Sequence, residues 1–206
     1  MPRGLLITFE GGEGLGKSTQ IELLVQKLRR HKVPHIITRE PGGTPAGELL
    51  RTIHKEFPIL PLTEVFILEA SRHEHVEKVI RPALAEGKIV ICDRYSESSV
   101  VYQGYVRGLS VSMIKNLNKL ATGNLKPNRV IMLDGKIRRL KGRSKKDKFD
   151  NETNAFHEKI RKGYLRLARE NKYIRVYQAD QSKESLHQQI LKDLTPLLKQ
   201  SAKSFR

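Results

Sequence analysis

A glycine-rich segment near the start of the chain has the composition and spacing of a phosphate-binding loop. Residues 11–18 read GGEGLGKS and match the pattern G-x-x-x-x-G-K-S/T. An apolar run precedes the segment and a helical pattern follows it, which is the context that the pattern requires. Glycines let backbone N–H groups surround phosphate oxygens, and the helix start adds partial positive charge beside the Lys17 ammonium group. The predicted loop residues are Gly11, Gly12, Glu13, Gly14, Leu15, Gly16, Lys17 and Ser18. We therefore predict a site for a nucleoside triphosphate.

Two oxygen-bearing side chains suit a magnesium ion beside this loop. The Ser18 hydroxyl closes the motif, and Asp93 ends the apolar run at 88–93. An acid at that point lies at the carboxyl edge of a parallel strand, next to the bound phosphates. Mg²⁺ prefers oxygen ligands, so Ser18 and Asp93 are the predicted metal-binding residues.

Four arginines are the candidates for holding a second, phosphorylated substrate. Arg39 and Arg94 follow predicted strands, while Arg51 and Arg72 lie on early helices. A guanidinium group matches two phosphate oxygens at once. Each arginine taken singly is as often a solvated surface residue as a ligand; their common position at one sheet edge favours a shared site.

The charge balance points to an anionic partner. The 206 residues carry 39 Lys and Arg against 22 Asp and Glu, a net charge of +17, and 136–148 alone holds eight basic residues and one acid. Charge by itself does not choose between nucleic acid, a membrane surface and phosphorylated small molecules. The single cysteine, Cys92, excludes an internal disulfide and a thiolate zinc cluster. Apolar runs are too short to span a bilayer, and we expect a cytoplasmic protein.

Short apolar runs alternate with helical patterns, which indicates an α/β protein. The predicted strands are 4–9, 35–38, 88–92, 129–133 and 174–178. The predicted helices are 17–31, 62–86, 97–107, 111–121, 152–171 and 183–201. With no repeat or linker in the sequence, we expect a single domain over 1–206 with a three-layer P-loop NTPase fold. It would contain a five-stranded parallel sheet flanked by helices, and a basic lid at about 136–151.

Over nearly its whole length the chain resembles bacterial thymidylate kinases. The matching segments are 9–14 through Thr19, 38–45 with Gly47, Glu48 and Arg51, 70–72 with His75, 93–95, 98–99, 102–104, and 156–161 with Gly163 and Tyr164. The resemblance implies transfer of the ATP γ-phosphoryl group to dTMP, giving dTDP, with Mg²⁺ and usually in a homodimer.

The same resemblance implies roles for particular residues. Arg39, Arg51 and Arg94 would hold the dTMP phosphate, and Arg72 and Gln103 would read the thymine. The remaining implied substrate contacts are Ser99 beside the base, Glu13 and Glu40 near the sugar, Pro41 and Leu68 in the pocket, and Thr19 on the ATP side. The implied catalytic residues are Lys17, Glu13, Arg94 and Arg143.

Three positions depart from the family pattern. Leu68 stands where relatives carry a phenylalanine that stacks on thymine, so the base is held by packing alone or the base preference is loosened. Phe66 lies on a different helical face and does not replace it. Gly14 is neutral where some relatives carry arginine, so the lid must supply the cation, and Arg143 is the preferred candidate. Lys148 stands where the lid of relatives has an arginine.

Two other functions fit parts of the sequence. A deoxynucleoside kinase would phosphorylate a hydroxyl group and needs a carboxylate base, for which Glu40 is placed. An ATP-binding nucleic-acid protein would explain the basic charge, although the 12 Phe and Tyr residues, the absence of Trp and the lack of an RNA-binding motif weigh against it.

Overall fold

Five parallel strands form one sheet in the computed structural model, which describes residues 4–135, 153–202 and 205. The strands are β1 (Leu5–Gly11), β2 (His35–Arg39), β3 (Ile89–Asp93), β4 (Arg129–Asp134) and β5 (Ile174–Gln178), in the order β2-β3-β1-β4-β5. All five predicted strands and the parallel α/β class are confirmed. The lid at 136–151, with Arg143 and Lys148, lies outside the described residues.

Helices connect the strands. They are α1 (Lys17–Arg30), α2 (Pro45–Glu56), α3 (Pro61–His75), α4 (Arg81–Ala85), α5 (Ser96–Ser99), α6 (Val111–Thr122), α7 (Asn154–Glu170) and α8 (Lys183–Ser201). Two π-helical segments extend them: Val76–Ile80 joins α3 to α4, and Val100–Val106 continues α5. The predicted helix at 62–86 therefore corresponds to three consecutive helical segments, namely α3, the π-helical segment Val76–Ile80 and α4.

Residues 45–56 form α2, which the predicted helices do not include, although the sequence places Arg51 on an early helix. Thr44 begins this helix, since its hydroxyl accepts the Gly47 N–H at 2.9 Å, and Pro45 occupies the first turn. Threonine before proline is a known helix start. The surrounding glycines and prolines concealed this start, because they are typical of loops.

The core covers both faces of the sheet. Alternate residues of a strand point to opposite faces, and Ile7 and Phe9 of β1 pack on the side of α1 and α8. Leu6 belongs to a cluster on the other face, beside Val76 and Val90. A parallel sheet buried on both faces is rigid, and its carboxyl edge therefore presents side chains at fixed positions.

At that edge the register brings three strand ends together. Asp93 pairs with Phe9 of β1 and with Arg39 of β2. The Arg94 N–H donates to the Phe9 carbonyl at 2.9 Å, and the Glu40 N–H donates to the Asp93 carbonyl at 3.0 Å. Residues far apart in sequence thus meet at one edge. In the described part of the chain no helix is long and apolar enough to cross a membrane.

Candidate active site

The phosphate-binding loop lies between β1 and α1, as its sequence predicts. Gly11 has φ 128°, and a Cβ there would lie 2.4 Å from the Leu133 carbonyl oxygen of β4, so only glycine fits. Gly16 has φ 90° directly before α1. The loop therefore holds a conformation that L side chains rarely adopt, and it leads directly to a helix N-terminus that attracts anions.

Lys17 is held inside this loop. Its Nζ donates to the carbonyl oxygens of Gly12 at 2.8 Å and Gly11 at 3.1 Å, and the side chain is 8% exposed. Burial, together with repulsion from Arg94, lowers the pKa of Lys17 to about 7. Phosphate oxygens in the loop would supply the negative charge that this buried ammonium group needs.

Asp93 and Ser18 have the chemistry for a magnesium ion. Asp93 Oδ1 is buried and has no hydrogen-bond partner within 4–135, 153–202 and 205. Asp93 also lies close enough to Lys17 for its negative charge to oppose the fall in the Lys17 pKa. Ser18 is exposed in the first turn of α1. An unpaired carboxylate oxygen and a hydroxyl group suit a hard cation such as Mg²⁺.

A buried carboxylate, Glu10, anchors the floor of the site. Its Oε1 accepts the Tyr95 N–H at 2.7 Å, and its Oε2 accepts the hydroxyl groups of Ser98 and Tyr164, each at 2.7 Å. Burial raises the pKa of Glu10, while Arg94 and the hydrogen bonds oppose that rise. Glu10 thereby ties β1 to the segment after β3 and to α7.

Arg94 lies directly above this network. Its backbone is left-handed, with φ 71°, an unusual conformation for a residue with a side chain. Its Nη1 donates to Ser98 Oγ and to Tyr164 Oη, each at 3.3 Å, and its guanidinium carbon is 5.3 Å from the Tyr102 ring centre. The surrounding side chains fix the direction of this guanidinium, and Glu10 fixes two of them.

A cleft of about 810 Å³, open mouth included, runs along the carboxyl edge. Most of the predicted substrate residues line it. They are Glu13, Arg39, Glu40, Pro41, Arg51, Leu68, Arg72, Asp93, Arg94, Ser99 and Gln103. The structure therefore brings all three predicted acidic residues, all four arginines and the predicted base contacts Ser99 and Gln103 together in one site. The site is concave, as ligand sites usually are.

Two of the arginines at the cleft are held by acceptors of the protein. Arg39 Nη2 donates to Glu48 Oε2 at 2.8 Å, and this pair is exposed. Arg51 Nη1 donates to the Pro41 carbonyl at 2.8 Å. Arg39 is exposed and Arg51 is half-buried, so both guanidinium groups can still contact an anion placed in the cleft.

Arg72 differs, because all five of its N–H groups are bonded to the protein. Nε donates to Glu40 Oε2 at 2.7 Å. Nη1 donates to Glu69 Oε1 at 2.6 Å and to Asn118 Oδ1 at 2.5 Å. Nη2 donates to Ser99 Oγ at 3.1 Å and to the Tyr95 carbonyl at 3.2 Å. Arg72, which the family resemblance assigns to the thymine base, is thus buried and hydrogen-bonded to several parts of the protein. It would have to break one of these bonds to bind a base.

The helix α3 places its two apolar candidates as predicted. Leu68 lines the cleft, whereas Phe66 is 55% exposed and lies outside it. Glu40, the candidate base for a hydroxyl acceptor, is bonded to Arg72 at 2.7 Å and through its other oxygen to His75 Nδ1 at 3.1 Å. Both oxygens of Glu40 have strong partners, which disfavours proton abstraction.

Sequence reasoning assigned no role to Glu10, Ser98, Tyr164 or Glu69. The position of Glu10 could have been predicted from the sequence. Like Asp93, it is an acid near the carboxyl end of an apolar strand, and such residues lie at the carboxyl edge of the sheet. Ser98 and Tyr164 are among the residues that carry the family resemblance, but their shared partner Glu10 lies 88 and 154 residues away, so the sequence does not show the contact. Glu69 carried no signal, because the sequence does not show what its helix face contacts.

Comparisons with known proteins agree with this geometry. The family model described as thymidylate kinase matches residues 9–190. The thymidylate kinase of Kosmotoga olearia is 41% identical over 202 residues, covering 95% of this chain and 97% of that protein. That of Synechococcus sp. is 47% identical over 171 residues, covering 80% and 81%.

A solved structure of a thymidylate kinase has a similar fold. The crystal structure of thymidylate kinase from Ehrlichia chaffeensis superposes with a TM-score of 0.76 at 32% identity, covering 94% of this chain and 99% of that one. The sheet, the loop and the cleft of arginines are accompanied by sequence similarity that extends through nearly the whole chain, and we conclude that this protein belongs to the thymidylate kinase family.

Proposed function

We propose that this chain transfers the γ-phosphoryl group of ATP to dTMP, producing dTDP and ADP with the help of Mg²⁺. The observation that carries the proposal is the single cleft in which Asp93 and Glu13 beside the phosphate-binding loop meet Arg39, Arg51 and Arg94. A site of this kind is suited to two phosphorylated molecules placed end to end.

The reaction needs positive charge more than it needs a base. A phosphate monoester has its second pKa near 6, so at neutral pH the attacking oxygen is already anionic. The barrier is repulsion between two anions, and one opposite charge at about 4 Å is worth about 4 kcal/mol at an effective dielectric constant of 20. Each cation fixed at the cleft therefore contributes substantially to the rate.

On the donor side, the loop N–H groups and Lys17 would bind the ATP phosphates. Phosphate oxygens would replace the carbonyls of Gly11 and Gly12 as partners of the Lys17 ammonium group. Ser18 and Asp93 would hold Mg²⁺, which neutralises charge on the β- and γ-phosphates. Gly14 brings no charge, so Arg143 in the lid stays the predicted additional cation.

On the acceptor side, Arg94 is the best placed cation. It lies next to Asp93 at the sheet edge, and its direction is fixed by Ser98 and Tyr164. Arg39 and Arg51 approach from β2 and α2 and complete a clamp for the dTMP phosphate. Glu13 lines the same cleft near the sugar position that the family resemblance implies.

We also propose that two copies associate through the α2–α3 face. Exposed apolar residues concentrate there, among them Leu49 (70%), Phe57 (56%), Leu60 (75%) and Phe66 (55%). A concentration of exposed apolar side chains on one part of the surface is typical of an interface. Phe66→Asp should shift the protein from dimer to monomer in sedimentation analysis; a monomeric wild type would contradict the proposal. The single domain over 1–206 and the cytoplasmic location stay predictions.

A coupled assay of ADP formation tests the proposed activity directly. With ATP and Mg²⁺, dTMP should be phosphorylated and thymidine should not, because thymidine has no phosphate for the arginine clamp. Lys17→Ala should abolish turnover while the circular-dichroism melt persists. Arg29→Ala removes an exposed charge from the same helix and serves as the matched control with normal activity. Turnover of thymidine alone, or DNA binding without transfer to dTMP, would refute the proposal.

A further inference from the structure

The acceptor part of the cleft lies between two walls that belong to different helical elements. One wall is formed by α2, which contributes Arg51 and His54. The opposite wall is formed by the π-helical segment after α5, which contributes Tyr102 and Gln103. Neither element belongs to the sheet. The separation of the two walls therefore depends on the contacts that join them.

A buried carboxylate, Glu64, lies behind the cleft and between these walls. It belongs to the first turn of α3, where the helix dipole favours a negative charge, and it precedes Leu68 by one turn on the same helix face. Its side chain is 1% exposed. Leu68 lines the cleft, whereas Glu64 is not among the lining residues. Glu64 is therefore placed to act on the walls rather than on a ligand.

One oxygen of Glu64 holds α2. Glu64 Oε1 accepts a hydrogen bond from His54 Nε2 at 2.7 Å, and both side chains are buried. His54 lies in the last turn of α2, three residues after Arg51, so the two residues are neighbours on the helix surface. The bond to Glu64 thus fixes the helix face that presents Arg51 to the cleft.

The other oxygen of Glu64 holds the opposite wall. Arg107 Nε lies 3.0 Å from Glu64 Oε2 in an ion pair. Arg107 directly follows the π-helical segment, and its backbone N–H donates to the Tyr102 carbonyl at 3.0 Å. Two residues later, the Leu109 N–H donates to the Gln103 carbonyl at 3.1 Å. The Arg107 side chain therefore links Glu64 to the backbone of both cleft residues in this wall.

Both contacts end on the same planar carboxylate group. We call the three side chains His54, Glu64 and Arg107 the Glu64 bridge. Because the bridge joins the walls only when both contacts are made, loss of either one frees α2 from the opposite wall. A displacement of about 1 Å in residues that position a substrate lowers the rate by as much as about 10²-fold, even when the change is distant from the reacting atoms.

We propose that the Glu64 bridge sets the width of the acceptor part of the cleft, so that Glu64, His54 and Arg107 are positioning residues for the acceptor nucleotide. The inference rests on the proposed function, since the acceptor is dTMP. The phosphate-binding loop lies between β1 and α1, apart from both walls. Opening the bridge should therefore affect the use of dTMP and leave the KM for ATP unchanged.

Substitution of Arg107 tests one arm of the bridge. The Arg107 side chain is 31% exposed, so Arg107→Ala should fold. We expect kcat/KM for dTMP to fall about tenfold at an unchanged KM for ATP, and Arg107→Lys, which keeps a cation for Glu64, should recover most of the loss. Arg81→Ala is the matched control, because Arg81 makes a similar ion pair with Glu77, at 2.7 Å, away from the cleft. Arg81→Ala should show wild-type kinetics. Parallel increases of both KM values in Arg107→Ala would overturn the proposal.

A double-mutant cycle distinguishes a bridge from two independent contacts. His54→Leu removes the other arm and should also lower kcat/KM for dTMP about tenfold. Combined with Arg107→Ala, the loss should stay near tenfold, because either substitution alone already opens the bridge. Independent contacts, including a direct contact of His54 with the substrate, would instead give about a hundredfold loss, and that result would refute the proposal.

His54→Gln completes the test, since its amide N–H lies close to the position of the imidazole Nε2. This variant should keep kcat/KM for dTMP near the wild-type value, and a tenfold loss with a normal melting curve would contradict the bridge. If the wild-type protein does not phosphorylate dTMP, the proposed function fails. If it does and the variants depart from this pattern, only the inference about Glu64 fails.

Discussion

Removing one hydroxyl group from α7 tests whether the buried network directs Arg94, the arginine proposed to act in catalysis. In Tyr164→Phe the ring remains, so its edge contact with Tyr102, 6.5 Å between ring centres, is kept. The lost oxygen donates to Glu10 Oε2 at 2.7 Å and accepts from Arg94 Nη1 at 3.3 Å. The substitution therefore removes hydrogen bonds and leaves the packing in place.

The expected magnitudes follow from these two bonds. A hydrogen bond to a charged group contributes about 1.5–3 kcal/mol, and in a protein of this size each kcal/mol lowers Tm by about 2–4 °C. Arg94 keeps Ser98 as a side-chain acceptor but loses Tyr164. We expect kcat/KM for dTMP to fall about tenfold, or about 1.4 kcal/mol, while the KM for ATP stays unchanged.

Steady-state kinetics and thermal melts measure both effects, and Tyr173→Phe is the matched control. The Tyr173 hydroxyl donates to another buried acid, Glu97, at 3.3 Å. Tyr173→Phe removes the same chemical group as Tyr164→Phe, but the Tyr173 hydroxyl has no bond to Arg94. The kcat/KM for dTMP should therefore stay near the wild-type value. Equal kinetic losses in the two variants, or no loss in Tyr164→Phe, would show that the network does not direct Arg94.

Three further outcomes are expected. Burial and the neighbouring Glu10 raise the pKa of Glu97 from 4.5 to about 7, so the folded state binds the extra proton between these values. The free energy of unfolding should fall by up to about 1.4 kcal/mol per pH unit as pH rises through that window. Glu97→Gln should reduce this slope in urea titrations at pH 5, 6 and 7, while buried Glu10, whose pKa is also raised, retains its own contribution; an unchanged slope would contradict the assignment to Glu97. Asp93→Asn should raise the Mg²⁺ concentration needed for half-maximal activity, and an unchanged titration would remove Asp93 from the metal site. Gly163→Ala places a Cβ 3.0 Å from Val101 Cγ1 and should destabilise the protein by about 1–3 kcal/mol; a higher Tm would mean that helix propensity outweighs the crowding.

Local patterns predicted most of the fold. The strands were found because a sheet buried on both faces requires continuous apolar runs, and α1, α6, α7 and α8 because their apolar residues repeat at helical spacing. The bounds of α2 were not predicted, because this helix starts among glycines and prolines. The phosphate-binding loop, Asp93 and the arginines were identified because each is a local motif or follows directly on a strand.

The sequence by itself determined which chemical groups are available and in what order they occur. Only the tertiary structure decided which of them are available to a ligand. In the sequence Arg72 looks like the other predicted substrate arginines. In the structure its five N–H groups bond to residues after β2, in α3, just before and in α5, and in α6. Glu10 likewise acquires its partners from the segment after β3 and from α7. Hydrogen bonds between groups 27 to 154 residues apart depend on how the layers pack, and local periodicity carries no information about that packing.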